Sequence, residues 1–156
     1  MIEWRVVIGE GMHTVFLGLG SNLGNSEQTI IRAYRHIERL IGPIGRQSAF
    51  FYSQPWGFQS ENTFVNSVVM LETALTPLQV LHRTKLIERL LGKRREHATE
   101  RAQSTLDPQL PIYHDRPIDI DILLYDNLVV NHPKLKIPHP LMQERDFVMI
   151  PLREIL

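Results

Sequence analysis

The 156-residue chain has no cysteine. Disulfide bonds and thiolate metal sites are therefore excluded, and a reducing cytoplasm is the expected compartment. No apolar run approaches the length of a membrane span. The opening Met1-Ile-Glu-Trp-Arg-Val-Val-Ile lacks the long apolar region and small-residue cleavage site of a signal peptide. Charge of one sign is also missing, because 17 basic residues cancel 17 acidic ones. A broad non-specific nucleic-acid surface needs a basic excess, so that role is disfavoured. Internal repeats and low-complexity tracts are absent, as is a Gly-Lys-Ser/Thr phosphate loop after the N-terminal glycines. What is present, 43% hydrophobic and 22% charged residues, suits one soluble globular domain. Met12 is a second plausible start, so residues 1–13 read as an N-terminal extension of uncertain role and 14–156 as a single domain.

The periodicities alternate between strand and helix. Val15 to Gly20 reads as a short buried strand running into a glycine turn, and Asn25 or Ser26 can cap the helix that follows. Ile30, Ile31, Tyr34, Ile37, Leu40 and Ile41 recur at helical steps until Gly42-Pro43 ends them. Arg46 to Gln54 reads as one strand, and Pro55 to Asn62 as a loop exposing Trp56 and Phe58. Thr63 to Glu72 is the next strand, with Val65, Val69 and Leu71 on one face and Phe64, Asn66, Val68 and Met70 on the other. Thr76-Pro77 opens a second helix through Leu78, Leu81, Ile87 and Leu91 to Gly92. Residues 93–112 form a long polar loop. After the strand that follows it, Asp126-Asn127 turns the chain into Leu128-Val129-Val130. Proline loops then carry Lys134, Lys136 and His139, and two short helices close the chain. The order βαββαβ is that of an α+β, ferredoxin-like fold, an antiparallel sheet with two helices on one face.

The most informative stretch is Ile118-Asp-Ile-Asp-Ile122. Apolar and acidic residues alternate with period two, so Asp119 and Asp121 share one strand face about 6–7 Å apart, with Ile118, Ile120 and Ile122 toward the core. Strands disfavour aspartate, and two like charges on one face repel, so the pair calls for a cation. Hard carboxylate oxygens suit Mg²⁺, which takes one or two protein carboxylates and leaves its other positions to water and phosphate. A solvated strand face would show the same pattern. Against it stand the flanking Tyr113 and Arg116 and a set of cations at Lys93, Arg94, Arg95, Lys134, Lys136, His139 and Arg145, grouped as a polyphosphate requires. Phe64, Trp56 and Phe147 offer flat apolar faces, with Asn66 on the face of Phe64 able to read a ligand edge. Gly18-Leu-Gly20-Ser-Asn-Leu-Gly24 has the wrong spacing for dinucleotide binding and lacks a second βαβ half, which leaves a tight turn with N–H groups near a ligand.

With Gly20-Ser-Asn-Leu23, Asn66, Glu88, Arg116-Pro-Ile-Asp-Ile-Asp121, Pro138-His139 and Arg145-x-Phe147 in order, the chain resembles the 6-hydroxymethyl-7,8-dihydropterin pyrophosphokinases of folate biosynthesis from about Thr14 onward. The resemblance implies transfer of pyrophosphate from ATP to the pterin hydroxymethyl group, releasing AMP. It implies two Mg²⁺ ions on Asp119 and Asp121, with Arg95 and Arg116 joining the two aspartates as catalytic residues. ATP would meet Lys85, Glu88, Lys93, Arg95, Tyr113, Arg116, Ile122, Lys134, His139 and Arg145. The pterin would meet Gln54, Pro55, Trp56, Phe64, Asn66, Asp119 and Phe147. The expected partners are these small molecules alone, with no nucleic acid and no membrane, and the protein acting as a monomer. Lys93 stands where the family commonly has arginine, and Tyr113 where tryptophan is common. Two other readings of the residues are a ferredoxin-like ligand-binding or regulatory module without catalysis, and a metal-dependent phosphohydrolase.

Overall fold

A computed structural model describes residues 11–54, 63–92 and 117–156. Its elements are β1 (His13–Ser21), α1 (Ser26–Leu40), β2 (Ile44–Gln47), β3 (Phe51–Ser53), β4 (Phe64–Thr73), α2 (Pro77–Leu90), β5 (Asp119–Tyr125), β6 (Val130–His132) and β7 (Leu135–Ile137). A short 3₁₀ turn, Met142–Glu144, leads into α3 (Asp146–Ile155). The main sheet runs β2-β4-β1-β5, and every pair is antiparallel. β3 also pairs with β4, on the edge that β2 occupies. Counting β2 and β3 as one interrupted edge strand gives the ferredoxin-like order expected from βαββαβ.

The interruption corrects the single strand expected over Arg46 to Gln54. Ser48 is buried; its N–H donates to the Val68 carbonyl at 2.9 Å, and its Oγ accepts the Val68 N–H at 3.0 Å. A hydroxyl thus takes the place of a ladder carbonyl, and the strand breaks without leaving the buried Val68 amide unpaired. His13, assigned to the extension, is instead the first residue of β1 and pairs with Asp126 at 2.7 Å.

Helix boundaries follow local chemistry. Asn25 caps α1 by accepting the Gln28 N–H at 3.2 Å. Gly42 ends it by donating to Ile37 O at 3.1 Å, and a β-carbon on Gly42 would lie 1.8 Å from the Glu72 carbonyl oxygen, so only glycine fits there. Thr76 and Gln79 form a reciprocal capping box on α2, with Pro77 at its first position. The buried stripe of α2 is Val80, Thr84, Ile87 and Glu88. Leu78, expected inside, is 45% exposed, since it lies off the face that carries Val80, Thr84 and Ile87.

One core lies between α1, α2 and the sheet, built from Val15, Leu17, Ile30, Ile37, Val69, Leu71, Ile87, Ile120 and Ile122 with their neighbours. A smaller one, Phe16, Val68, Met70, Leu123, Val148 and Leu152, seats α3 on the opposite face. At β5 the register slips opposite Phe16 and Leu17, so Leu123 and Leu124 both turn toward α3. The proline loops expected after Val130 are instead a small hairpin, β6 with β7, whose Leu135 and Ile137 are buried in the first core. α3 covers only part of its face. Among the described residues no helix is long and apolar enough to cross a membrane.

Candidate active site

The uncovered part of that second face is a cleft of about 350 Å³. Its floor is glycine. Along β1, odd residues Val15, Leu17 and Leu19 enter the helix-side core, so Gly18 and Gly20 face the cleft. Register places Gly20 between Asn66 of β4 and Asp119 of β5, and Gly18 between Val68 and Asp121. Both glycines are strand residues, not the turn that sequence suggested; the turn lies beyond, with Gly24 at φ 65°. With neighbouring strands about 4.8 Å apart, Asn66 and Asp119 stand about 10 Å from each other across a floor without side chains.

Asp119 and Asp121 line the cleft together, on the face opposite Ile118, Ile120 and Ile122 as the alternation required. Burial pushes the Asp121 carboxyl up to about 7, with the Asp119 and Glu88 carboxylates adding to the rise and Arg145 and Lys85 opposing it. Desolvation leads this rise, and among the described residues the neighbouring carboxylates add to it against the pull of Arg145 and Lys85. His139 is brought over β5 by donating its backbone N–H to Leu123 O at 3.1 Å, and the Ile137-Pro138 bond before it is cis. Its Nδ1 accepts the Leu141 N–H at 3.4 Å, so the proton sits on Nε2, which lies 4.0 Å from Asp121 Oδ2. Desolvation, and then the charge of Arg145, lower its pKa against a small opposing effect of Asp119. Arg145 lies over the Phe147 ring, 5.7 Å from its centroid, and both line the cleft at the start of α3.

The opposite wall is Ser53, Gln54, Phe64 and Asn66. Asn66 is buried and donates its amide N–H groups to Ser53 Oγ at 2.8 Å and Phe51 O at 3.4 Å, which turns its Oδ1 over Gly20. Lys85 closes the remaining side, its Nζ 3.4 Å from Glu88 Oε1.

Of the residues singled out from sequence, Gln54, Phe64, Asn66, Lys85, Asp119, Asp121, His139, Arg145 and Phe147 converge here. Three do not reach the cleft with their side chains. Ile122 is buried on the helix side, as its odd spacing from the aspartates demands. Glu88 is 1% exposed beneath β5, where its Oε2 accepts the Ile120 N–H at 3.0 Å. Lys134 is exposed in the β6–β7 turn, away from the cleft wall. Pro55, Trp56, Lys93, Arg95, Tyr113 and Arg116 lie outside the described residues. Sequence reasoning passed over Ser53, which orients Asn66, and the role of Gly18 and Gly20 as floor; their shared face with Asn66 appears only once β1 is paired with β4. Among the described residues no group of three or more His, Asp or Glu could enclose a metal ion. The donor set is a two-carboxylate pair with a neutral histidine beside it.

Residues 16–156 match the family described as 7,8-dihydro-6-hydroxymethylpterin-pyrophosphokinase (HPPK). The 2-amino-4-hydroxy-6-hydroxymethyldihydropteridine pyrophosphokinase of Porphyromonas gingivalis is 41% identical over 145 residues, covering 92% of this chain and 91% of its own. The protein of the same name in Aquifex aeolicus is 37% identical over 144 residues, covering 92% and 81%. Among solved structures, an HPPK-DHPS in complex with substrates superposes with a TM-score of 0.68 at 14% identity, over 92% of this chain. A Plasmodium falciparum HPPK-DHPS triple mutant gives 0.64 at 15% identity, over 91%. This chain spans 40% of each of those two longer chains, and at such identities the likeness speaks for the fold alone. On its sequence match across nearly its whole length, the chain belongs to the 7,8-dihydro-6-hydroxymethylpterin-pyrophosphokinase family.

Proposed function

We propose that the protein transfers the pyrophosphoryl group of ATP to the hydroxymethyl oxygen of 6-hydroxymethyl-7,8-dihydropterin, releasing AMP, in folate biosynthesis. The observation that carries this reading is that an aspartate pair and a pair of aromatic rings meet over one glycine floor. A flat bicyclic ring can lie on Gly20 between Phe64 and Phe147, with Asn66 Oδ1 accepting from its ring N–H or amino edge and Asp119 at its far end. Gln54 lines the same wall, and Pro55 and Trp56, next in the sequence, would add to the pterin contacts.

The donor set suits Mg²⁺: two hard carboxylates on one face, one with its pKa lifted to about 7, form an anionic site that a divalent cation would neutralise. Asp119 and Asp121 would hold two such ions, which when bound supply charge neutralisation to the triphosphate. Lys85, His139 and Arg145 face the space a triphosphate would fill. Neutral His139, its Nε2 carrying a proton, is a hydrogen-bond donor rather than a base. Arg145 is a fork donor held beside Phe147, so nucleotide and pterin contacts share one helix start. Arg95, Arg116, Lys93 and Tyr113, in the sequence between α2 and β5, would supply the rest of the phosphate contacts. Among the described residues His139 is set as a donor and the two aspartates would be taken up by the cations, so catalysis would rest on alignment of the hydroxymethyl oxygen with the β-phosphorus and on electrostatic stabilisation of the leaving AMP. We further propose that the protein acts as a cytoplasmic monomer.

The test is AMP formation from MgATP with and without 6-hydroxymethyl-7,8-dihydropterin, with EDTA as control. AMP that depends on both pterin and Mg²⁺ is the expected result. ADP and phosphate formed without pterin would overturn it in favour of a phosphohydrolase. Absence of turnover by folded protein would favour a binding module.

A further inference from the structure

Among the described residues β5 is the last strand of the sheet, and no described strand pairs with its outer edge. Ile120, between the two aspartates, points its N–H off that edge. A buried amide in this position needs an acceptor. It finds one in Glu88 Oε2 at 3.0 Å, delivered from the C-terminal half of α2 across 32 residues of chain. A fully buried carboxylate is a costly acceptor for a task that a glutamine, a serine or a water could perform. Its second oxygen gives the reason for the choice. Glu88 Oε1 lies 3.4 Å from Lys85 Nζ, and Lys85, one helical turn earlier and half exposed, lines the cleft.

We propose that Glu88 is a positioning residue, one buried carboxylate that fixes the peptide joining Asp119 to Ile120 and at the same time holds Lys85 at the cleft wall. The inference rests on the pyrophosphokinase reading of the cleft and assigns a part to a side chain that touches neither substrate. The peptide plane at Ile120 sets the direction in which the flanking aspartates leave the strand, because alternate side chains follow the pleat. Clamping it limits rotation of the whole Asp-Ile-Asp segment at the edge of the sheet. The Lys85 ammonium meanwhile is kept on a short tether, free to turn its remaining N–H groups to an anion in the cleft. The Glu88 charge also reaches Asp121, whose pKa it helps to raise. Partners of ligating carboxylates that fix orientation in this way are worth about 10–100-fold in metal affinity or activity.

Three full-length variants separate the hydrogen bond from the charge. Glu88→Gln keeps an oxygen for the Ile120 N–H and removes the charge; Glu88→Leu removes both; Lys85→Met removes only the tethered cation. Each is measured for pterin-dependent AMP formation at varied Mg²⁺, for Mn²⁺ binding in the presence of ATP without pterin, followed by electron paramagnetic resonance, and for thermal unfolding. Glu88→Leu is expected to lose about 10–100-fold in kcat and to need more Mn²⁺ for half-saturation, with the pterin KM within about threefold of wild type. Glu88→Gln should recover most of the Mn²⁺ affinity, and Lys85→Met should raise the ATP KM with Mn²⁺ binding little changed. A Glu88→Leu protein that melts earlier yet keeps wild-type kcat and Mn²⁺ affinity while folded would overturn the proposal, leaving Glu88 a structural residue. Folded Glu88→Gln no better than Glu88→Leu would also overturn it. The Mn²⁺ arm reads the strand without pterin or turnover, so failure of the wild type to form AMP would count against the reaction and leave the positioning test standing.

Discussion

At the scale of single residues, the two carboxylates and the two rings make separable demands. Asp121→Asn keeps the shape of the side chain and removes the charge that a cation would balance. Turnover is expected to fall by at least about a hundredfold, since metal-ion charge stabilisation is worth several kcal/mol and each 1.4 kcal/mol or so is tenfold. Thermal unfolding of the variant should be unimpaired, because burial and Asp119 already press Asp121 toward its neutral form. Retained turnover in this variant would falsify the metal role. Phe147→Ala takes away a ring that carries Arg145 on its face and borders the cleft. The pterin KM should rise about tenfold or more, stacking of a ring on an aromatic side chain being worth about 1–3 kcal/mol. The ATP KM should move less, and steady-state kinetics with each substrate varied in turn would show the reverse pattern if Phe147 served the nucleotide.

Among the secondary-structure elements, three glycines that look alike in the sequence do different things. A β-carbon on Gly18 would meet the Leu123 methyl carbons at 3.3 Å, and a leucine end can move. On Gly20 it would stand 3.0 Å from Asn66 Oδ1, inside the cleft floor. On Gly42 it would overlap a strand carbonyl at 1.8 Å, which cannot yield without moving β4. Gly42→Ala is therefore expected to cost about 1–3 kcal/mol or more in urea unfolding, with kinetics of the folded fraction unchanged. Gly20→Ala should show the opposite, a raised pterin KM with a small stability change. The same elements mark what could be read in advance. The Thr76-Pro77 start, the Gly92 stop and the Asp-bearing strand are local signals, written in neighbouring residues, and they emerged where expected. The break at Ser48 was hidden because its cause, a hydroxyl standing in for a carbonyl opposite Val68, is a contact across 20 residues. The β6–β7 hairpin was hidden because three-residue strands flanked by Pro133 and Pro138 carry too little periodicity to distinguish from loop. Glu88, expected to meet ATP, is instead buried against an amide of β5 that no spacing rule connects to α2.

For the molecule as a whole, the site lowers the stability of the fold, and the sign of that effect is testable. Burial and neighbouring carboxylates lift Asp121 from 3.8 to about 7. Between those two values the folded chain holds a proton that the unfolded chain has released. Stability therefore falls as pH rises through this window and levels off above about 7, the reverse of an ion-paired carboxylate. Other carboxylates titrate at the acid end, so the quantity to measure is the difference in melting temperature between wild type and Asp121→Asn in EDTA. That difference should turn against the wild type as pH rises from about 4 to 7 and then stay constant. A cation bound to Asp119 and Asp121 must displace the same proton, so stabilisation by Mg²⁺ should be largest above pH 7 and fade below it. An equal Mg²⁺-dependent shift in melting temperature at pH 5.5 and pH 8 would contradict this linkage. It would mean that the ion binds elsewhere, or that Asp121 is already ionised where the cleft predicts a proton.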